Sequence, residues 1–304
     1  MERLFSVPFG KIYKGGKTGN GIIYLFYVLV GLITALIVYN LFFYQDYVDK
    51  NVTKYSLQNH GFQVYKDVLD IPDIQTIKMD CDKKEYKKTK QFLREHPKLR
   101  KLIEQQLGDE YVFQDYIWII KKSVVHTCHR DNNGDFFNKN QKHPSYTMLI
   151  YVEDMEKCLG VIPQSHRHLS SFAMNITDPT INLPCSKGDV IIFNANLIHV
   201  GSMNKNDNNL RMQMKVTHRD DVKHIQYYEN FNKIMDTTNT LPTCMRRAQK
   251  RLSCMFPMIS NLTQNENIRT ARGSSDGVDV GIRQKAFSYL FYGDSKFYDL
   301  PNAF

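Results

Sequence analysis

A short pattern of metal-ligand residue types places the strongest constraint on the fold of this chain. His129 and Asp131 are two residues apart, and residues two apart on an extended strand point to the same face. His199 lies 70 positions further on (199 − 129 = 70) and has to arrive from a different strand. Two imidazoles and one carboxylate form the facial ligand set of non-haem Fe(II) sites, which leaves positions open for substrates. The pattern therefore predicts a sheet fold that brings distant strands together around a metal.

Arg211 follows the second histidine at short distance along the chain. Its planar guanidinium is suited to gripping a carboxylate with two hydrogen bonds. Metal ligands together with a carboxylate clamp indicate an iron enzyme with an oxo-acid cosubstrate. A His-x-Asp pattern is weak by itself, and the competing interpretation is a pair of surface residues in a loop.

The segments around these residues resemble the phytanoyl-CoA dioxygenase family of Fe(II)/2-oxoglutarate oxygenases. Residues 160–167 are GVIPQSHR, residues 187–193 are KGDVIIF and residues 197–202 are LIHVGS, with Arg211 next. The resemblance covers roughly residues 111–220, and its motifs are specific in combination. Gln164 stands where the family usually has glycine, and residues 134–140 contain no recognisable substrate motif.

This resemblance implies that His129, Asp131 and His199 hold Fe(II) and that Arg211 binds the distal carboxylate of 2-oxoglutarate. Ser202 is a candidate second donor to that carboxylate, with a purely structural hydrogen bond as the alternative. No catalytic residue beyond the metal ligands is implied. The family reaction consumes O2 and 2-oxoglutarate, releases succinate and CO2, and hydroxylates an organic substrate. The implied fold is a double-stranded β-helix, mainly β, with flanking α-helices.

The pattern of strand-forming and turn-forming residues is compatible with that fold. Short β-branched and aromatic runs between turn-forming residues are typical of a sandwich or jelly roll. They predict strands at residues 111–120, 123–130, 146–153, 159–163, 189–195 and 210–218. Helix formers over 82–107 predict two helices, the first capped near Asp82 and the break at Pro97. Basic and apolar residues at helical spacing predict an amphipathic helix over 244–256.

An apolar run near the N-terminus carries no charged residue from Gly21 to Tyr44. A bilayer core takes about 20 apolar residues as a helix, whereas the apolar part of a secretory signal has about 7–15. We therefore expect one transmembrane helix at 21–44 that acts as a signal anchor. A basic cytosolic tail at 1–20 precedes it, and a stem at 45–80 leads to the oxygenase domain at 81–304.

The charges that flank the apolar run predict its orientation. Four basic residues and one acidic residue precede it: Arg3, Lys11, Lys14, Lys17 and Glu2. Two acidic residues and one basic residue follow it closely: Asp46, Asp49 and Lys50. Positive charge favours the cytosolic side. We expect a single-pass protein with its N-terminus in the cytosol and its large domain luminal or extracellular.

Sequons and cysteines fit a domain across the membrane. Sequons for N-glycosylation begin at Asn51, Asn175 and Asn261. An even number of cysteines permits disulfides in an oxidising compartment, but spacing does not define their pairing. The six cysteines are Cys81, Cys128, Cys158, Cys185, Cys244 and Cys254.

The net charge of +9 is compatible with a nucleic-acid or membrane-surface partner. The lysines are scattered, and the sequence has no zinc-finger, recognition-helix or stacking-aromatic signature. A nucleic-acid partner is therefore not expected. The sequence defines neither the organic substrate nor the oligomeric state.

Other functions compete with the oxygenase hypothesis. One is a non-catalytic β-barrel that keeps the scaffold as a surface or assembly protein. Another is a zinc or nickel barrel without 2-oxoglutarate, which has no need of the Arg211 clamp. A zinc site from His126 and His129 is a weaker competitor, because strand alternation points these two side chains to opposite faces. By the same alternation Cys128 faces away from the metal, as a small buried residue.

Overall fold

The chain separates into two units, residues 1–45 and residues 46–304. The computed structural model describes residues 18–39, 43, 47–122, 125–131, 140–168, 175, 180–203, 208–225, 229–261, 281–297 and 302–304. The first unit contains helix α1 (Thr18–Val38). Its segment Gly21–Val38 has a mean hydropathy of 2.6, and among the described residues this helix is the one long and apolar enough to cross a membrane.

The second unit contains both α-helices and β-strands. The α-helices among its described residues are α2 (Leu57–His60), α3 (Ile71–Asp82), α4 (Tyr86–Glu95), α5 (Pro97–Leu107), α6 (Thr243–Met255), α7 (Met258–Asn261) and α8 (Gly281–Tyr292). The strands are β1 (Tyr47–Val48), β2 (Phe62–Tyr65), β3 (Tyr111–Phe113), β4 (Tyr116–Lys122), β5 (Tyr146–Tyr151), β6 (Met155–Val161), β7 (Ile181–Cys185), β8 (Val190–Asn194), β9 (His199–Gly201), β10 (Asn208–His218) and β11 (Phe231–Asp236).

These strands form a small sheet and a large sheet, both mixed. The small sheet has the order β1-β7-β6-β9, and the large sheet has the order β11-β4-β10-β5-β8-β2, with β3 also paired to β10. The pairs β1–β7 and β11–β4 are parallel, and the other pairs are antiparallel. Each sheet therefore combines strands from distant parts of the chain.

Two apolar layers hold the sheets and helices together. Tyr151 and Phe193 of the large sheet pack with Val161 and Leu183 of the small sheet in one buried cluster, so the two sheets face each other. The opposite face of the large sheet packs against α3, α4 and α5 in a second cluster. Fully burying one such side chain contributes about 1.5–3 kcal/mol. Alternation along each strand sends successive residues to these two layers.

The predicted helices occur, but the first of them does not start near Asp82. The break at Pro97 separates α4 from α5, and the helix predicted at 244–256 is α6. Asp82 is not a cap, because it ends α3, which begins after the capping residue Asp70. Residues 47–80, within the predicted stem, include β1, β2, α2 and most of α3, and β1 and β2 pair with strands of the large and small sheets.

The predicted strands occur with one exception. The runs at 146–153, 159–163, 189–195 and 210–218 correspond to β5, β6, β8 and β10, and the run at 111–120 is divided into β3 and β4. The strand predicted at 123–130 does not form over its described part, where His129 makes one isolated bridge. The backbone N–H of Cys128 donates to the side chain of Ser253 on α6, so this segment is held by a helix instead of a strand ladder.

The Lys-Gly-Asp motif forms the turn before β8 and ties it to an earlier segment. The buried carboxylate of Asp189 accepts hydrogen bonds from Lys66 Nζ (2.6 Å), the N–H of Asp67 (3.1 Å) and the N–H of Ser186 (2.7 Å). Gly188 has φ +90°, and a Cβ there would lie 2.4 Å from the carbonyl oxygen of Leu69. Glycine is therefore required at this turn on two grounds, its dihedral angle and its close backbone contact.

Replacing Gly188 by Ala tests this turn. We expect Gly188→Ala to lower the free energy of unfolding by about 1–3 kcal/mol, because it adds a backbone clash to an unfavourable dihedral angle. Gly108→Ala is the matched control, since Gly108 also has positive φ (+106°) but open space around its Cβ position. Urea unfolding of the full chain in detergent measures both. Equal losses in the two variants contradict the close contact at Gly188.

Candidate metal and cosubstrate site

The two histidines of the predicted triad meet through their own backbones. The N–H of His129 donates to the carbonyl oxygen of His199, and the N–H of His199 donates to that of His129, both at 3.0 Å. The ring centroids lie 4.4 Å apart. This reciprocal pairing fixes the two imidazoles side by side, although 70 positions separate them (199 − 129 = 70).

Asp131 completes a cluster with metal-ligand geometry. Its Oδ1 lies 3.5 Å from Nε2 of His129 and 3.5 Å from Nε2 of His199. The potential ligand atoms of the three residues all lie within 4.8 Å of one another. The side chain of His129 is 26% exposed, against 8% and 7% for Asp131 and His199, so solvent reaches the cluster from the His129 side.

Each imidazole is oriented for metal binding through Nε2. Nδ1 of His129 lies 2.9 Å from the carbonyl oxygen of Thr127, and Nδ1 of His199 lies 3.0 Å from that of Leu197. A carbonyl can only accept, so Nδ1 carries the proton and Nε2 keeps its lone pair. Burial lowers the pKa of His199 to about 4, which leaves this imidazole neutral at physiological pH.

The second oxygen of Asp131 is held by residues of the large sheet. Oδ2 accepts hydrogen bonds from Thr147 Oγ1 (2.5 Å) and Lys215 Nζ (2.6 Å). Burial by itself raises the pKa of Asp131, but the charge of Lys215, with further contributions from the interactions with His199 and His129, outweighs it and holds the pKa well below its usual range. The Asp131 carboxylate is therefore ionised, and its Oδ1 is directed towards the Nε2 atoms of the two histidines.

The sequence interpretation missed Lys215 and Thr147, although β10 carries a signal. Polar residues alternate there with apolar ones: Asn209, Arg211, Gln213, Lys215 and Thr217 against Leu210, Met212, Met214 and Val216. Met212, Met214 and Val216 pack in the helix-facing layer, so the polar set faces the other sheet. An even offset from Arg211 places Lys215 on the same face. Thr147 is its register partner on β5 and has no comparable signal of its own.

Arg211 has the environment expected for a carboxylate clamp. It is 6% exposed and lies opposite Tyr151 in the β10–β5 ladder. Its Nη1 donates to the side-chain and backbone oxygens of Asn209, and no ion pair joins it to an acidic residue of the described chain. A buried guanidinium without an acidic partner is costly unless a ligand supplies the charge. This observation fits the distal carboxylate of 2-oxoglutarate.

Ser202 is buried and hydrogen-bonded to the small sheet. Its hydroxyl donates to Asn182 Oδ1 at 3.0 Å, and Lys250 Nζ of α6 reaches the same oxygen at 3.3 Å. This hydrogen bond corresponds to the structural alternative for Ser202, and a contact with the cosubstrate stays a prediction.

His126 lies away from the metal cluster, as alternation predicts. Its Nε2 contacts Gln249 Oε1 at 3.0 Å and its Nδ1 contacts Asn239 Nδ2 at 3.2 Å. Its ring also packs at 5.2 Å from that of Tyr292 on α8. These contacts remove the competing zinc site formed by His126 and His129.

A second group of metal-ligand residue types has less suitable geometry. His143, His218 and Asp220 have potential ligand atoms within 4.8 Å of one another, and Asp220 is exposed. The rings of His143 and His218 are stacked, with centroids 3.7 Å apart and an interplanar angle of 15°. The nitrogen lone pairs of parallel rings do not converge on one point. This group is better described as a ring stack.

The Pro-Gln-Ser-His motif supports the distal histidine from behind. Ser165 Oγ donates to the carbonyl oxygen of Ile162 (2.7 Å) and accepts from the N–H of Ile198 (2.8 Å), next to His199. Gln164 has φ +67°, the conformation that glycine adopts most readily. The turn is therefore kept although the sequence has glutamine where the family usually has glycine.

A disulfide supports the other histidine. Cys128 is bonded to Cys254 of α6, 126 positions away in sequence. The Cys128 side chain points away from the metal cluster, as alternation predicts, but it is a covalent tie and not only a small buried residue. The bond anchors the residue before His129 to the helix behind it.

Comparison with known families agrees with this geometry. The profile described as phytanoyl-CoA dioxygenase (PhyH) matches residues 52–212, which is 161 of the 304 residues (212 − 52 + 1 = 161). The chain belongs to the phytanoyl-CoA dioxygenase family. The enzyme class is that of Fe(II)/2-oxoglutarate-dependent oxygenases, and the cofactors are iron and 2-oxoglutarate. No curated protein matches the sequence.

Several solved structures are similar to this phytanoyl-CoA dioxygenase family member. The α-ketoglutarate-dependent epimerase SnoN from nogalamycin biosynthesis is 16% identical, covers 53% of this chain and 80% of its own, and gives a TM-score of 0.43. AviO1 from Streptomyces viridochromogenes Tue57 is 16% identical, with 57% and 96% covered and a TM-score of 0.42. EvdO2 from Micromonospora carbonacea var. aurantiaca, complexed with 2-oxoglutarate, is 12% identical, with 56% and 90% covered and a TM-score of 0.43.

Replacing Thr147 by Val tests how the metal ligand is held. We expect Thr147→Val to weaken Fe(II) binding on the order of 10-fold, because Asp131 Oδ2 loses the hydrogen bond from Thr147 Oγ1. Thr217→Val is the matched control, since Thr217 is also a buried threonine of the sheet but donates to Gln114. Anaerobic Fe(II) titration measures both variants. Equal affinity in Thr147→Val and the unmodified chain contradicts the role of Thr147.

Proposed function

We propose that this chain is a membrane-anchored Fe(II)/2-oxoglutarate dioxygenase that hydroxylates an organic substrate. One observation carries the proposal. His129, Asp131 and His199 converge on one point, and Arg211 is buried on the same strand face as Lys215, which contacts the triad, without an acidic partner in the described chain. The three ligand residues fit an iron ion, and Arg211 fits the distal carboxylate of 2-oxoglutarate.

The triad would hold the iron through Nε2 of both histidines and Oδ1 of the aspartate. Their orientation does not depend on the metal, because the carbonyls of Thr127 and Leu197 hold the imidazoles and Lys215 holds the carboxylate. Facial coordination by three side chains leaves positions open for other ligands. This preorganisation is the contribution of the protein to metal chemistry.

Arg211 would bind the distal carboxylate of 2-oxoglutarate and so direct its keto-acid end to the triad. Arg211 and Lys215 are four positions apart on β10, about 13 Å along the strand, so the guanidinium and the triad leave room for a small dicarboxylate between them. When bound, iron and 2-oxoglutarate supply an oxidative decarboxylation with O2 that yields succinate and CO2 and oxidises a substrate C–H bond. The interior around Tyr151, Leu183 and Phe193 is buried and limits the access of water.

The same residues also bear on the two competing functions, the non-catalytic barrel and the zinc or nickel hydrolase. A non-catalytic barrel has no reason to keep Asp131 and both histidines on their supporting hydrogen bonds. A zinc or nickel hydrolase has no use for a buried guanidinium beyond the metal. Arg211 therefore favours the oxygenase over both.

The double-stranded β-helix is the proposed architecture of the domain. Two mixed sheets that face each other across a common core support it. We place the domain at residues 46–304, with α1 as the anchor that precedes it.

We place the domain on the luminal or extracellular side of a membrane. The apolar length of α1 and the basic residues before it support this orientation. The disulfide between Cys128 and Cys254 also supports it, since disulfides persist in oxidising compartments. Asn51 is exposed and available as a glycosylation acceptor, whereas the amide of Asn175 donates to the carbonyl of Cys254.

The cosubstrate site is tested by the charge-transfer absorption of 2-oxoglutarate chelated to Fe(II) without oxygen. We expect the band in the unmodified chain, its loss in His199→Ala, and a 2-oxoglutarate requirement about 30-fold higher or more in Arg211→Ala. Truncating one partner of a buried charge pair costs about 2–5 kcal/mol, which gives this factor. Anaerobic spectrophotometric titration of the full chain in detergent measures it.

Arg219→Ala is the matched control, because Arg219 is exposed and pairs with Glu110 at the surface. Its titration should equal that of the unmodified chain. A folded protein that binds Fe(II) but gives no band with 2-oxoglutarate would point to the hydrolase. A folded protein that binds no Fe(II) would point to the non-catalytic barrel.

The orientation is tested by protease protection in microsomes. We expect a tag after Phe304 to be protected in sealed vesicles and digested after detergent is added. A tag before Met1 should be digested in both conditions. The opposite result places the domain in the cytosol, and release of the chain by alkaline carbonate contradicts the membrane anchor.

A further inference from the structure

Two further cysteines face each other inside the barrel. Cys158 lies on β6 and Cys185 ends β7, and these strands are antiparallel neighbours in the small sheet. Their Sγ atoms are 2.8 Å apart, roughly 0.8 Å longer than a covalent S–S bond of about 2.05 Å. Both residues are buried, at 2% and 4% exposure. The strands already place the two sulfurs within reach of one bond.

The surroundings of this pair do not suit a metal. Among the described residues, the groups of histidine, cysteine and acidic side chains that could hold an ion are the triad and the His143 group, and neither contains a cysteine. Two thiolates are half of a structural zinc site. The pair lies instead among apolar residues of the barrel core, with Leu159, Leu183 and Val161 in the same cluster.

We propose that Cys158 and Cys185 form a second structural disulfide of the mature protein, in the small sheet that faces Arg211 across the core. The inference rests on the proposed luminal location, which provides the oxidising conditions. With Cys128–Cys254 it leaves Cys81 and Cys244 as the free thiols.

The bond forms by thiol–disulfide exchange with the disulfide of an oxidoreductase. One thiolate attacks that disulfide to give a mixed disulfide, and the second cysteine displaces the oxidoreductase. Two protein thiols are oxidised to one disulfide, and the donor disulfide takes up the two electrons and two protons as two thiols. Burial raises the pKa of Cys185, so exchange is favoured before the barrel closes and is slow afterwards. The bond is therefore a permanent brace and not a reversible switch.

The position of the pair connects it to the cosubstrate site. The hydroxyl of Tyr151 donates to the carbonyl oxygen of Cys158 at 3.4 Å, and Tyr151 is the register partner of Arg211. The disulfide would thus tie β6 to β7 in the sheet opposite the strand pair that presents the guanidinium. Losing it should weaken 2-oxoglutarate binding and leave Fe(II) binding unchanged, because the triad has separate supports.

Peptide mapping of the full chain, expressed with its anchor in a secretory pathway, tests the proposal. The protein is denatured and alkylated without reductant, digested and analysed by mass spectrometry. We expect one linked peptide pair with Cys158 and Cys185, a second with Cys128 and Cys254, and alkylated Cys81 and Cys244. Alkylated Cys158 and Cys185 beside a linked Cys128–Cys254 overturn the proposal and leave the luminal location standing. Alkylation of all six overturns both.

A double-mutant cycle gives a second readout that needs no turnover. If the bond exists, Cys158→Ser and Cys185→Ser should each lower Tm by roughly 6–12 °C, as expected for closing a loop of 27 positions. The double variant should then lie close to either single variant. Additive losses, which independent thiols would give, overturn the bond. Cys244→Ser, at an exposed position, is the control and should leave Tm unchanged.

Discussion

The reciprocal backbone hydrogen bonds between His129 and His199 are the contact on which the site depends. Two chain segments far apart in sequence are fixed at one register, and each histidine is then oriented by a carbonyl two residues before it. The entropic cost of bringing the ligands together is met by folding and not by the metal. The two histidine side chains therefore already have the orientation for metal binding before iron binds.

Strand β10 supplies the positive charges beside the metal-ligand residues. Lys215 and Arg211 lie on one face, and the first neutralises Asp131 while the second has no acidic partner in the described chain. Burying an unpaired guanidinium costs stability. The apolar face of the same strand, with Met212 and Met214, packs on the helix layer and offsets that cost. Function and stability are thus divided between the two faces of one strand.

The motifs that do not bind ligands prove to be supports. Asp189 ties the segment at Lys66 and Asp67 to the large sheet, and Ser165 holds the residue before His199. The disulfide to Cys254 holds Cys128, the residue before His129. Each support acts on backbone next to a functional strand, which explains why such residues accompany the ligands in sequence without contacting the metal.

The sequence by itself determined the residue types and their chemistry. The spacing of His129 and Asp131, the position of Arg211 and the strand and helix patterns follow from local periodicity, which depends on near neighbours in the chain. Tertiary structure decided whatever depends on partners far away. It held the segment before His129 by Ser253 and Cys254 instead of a strand ladder, assigned Ser202 to Asn182, brought Thr147 and Lys215 to Asp131 and included residues 47–80 in the domain. Local sequence carries no record of which strand lies beside another, because register is fixed by packing across the whole sheet.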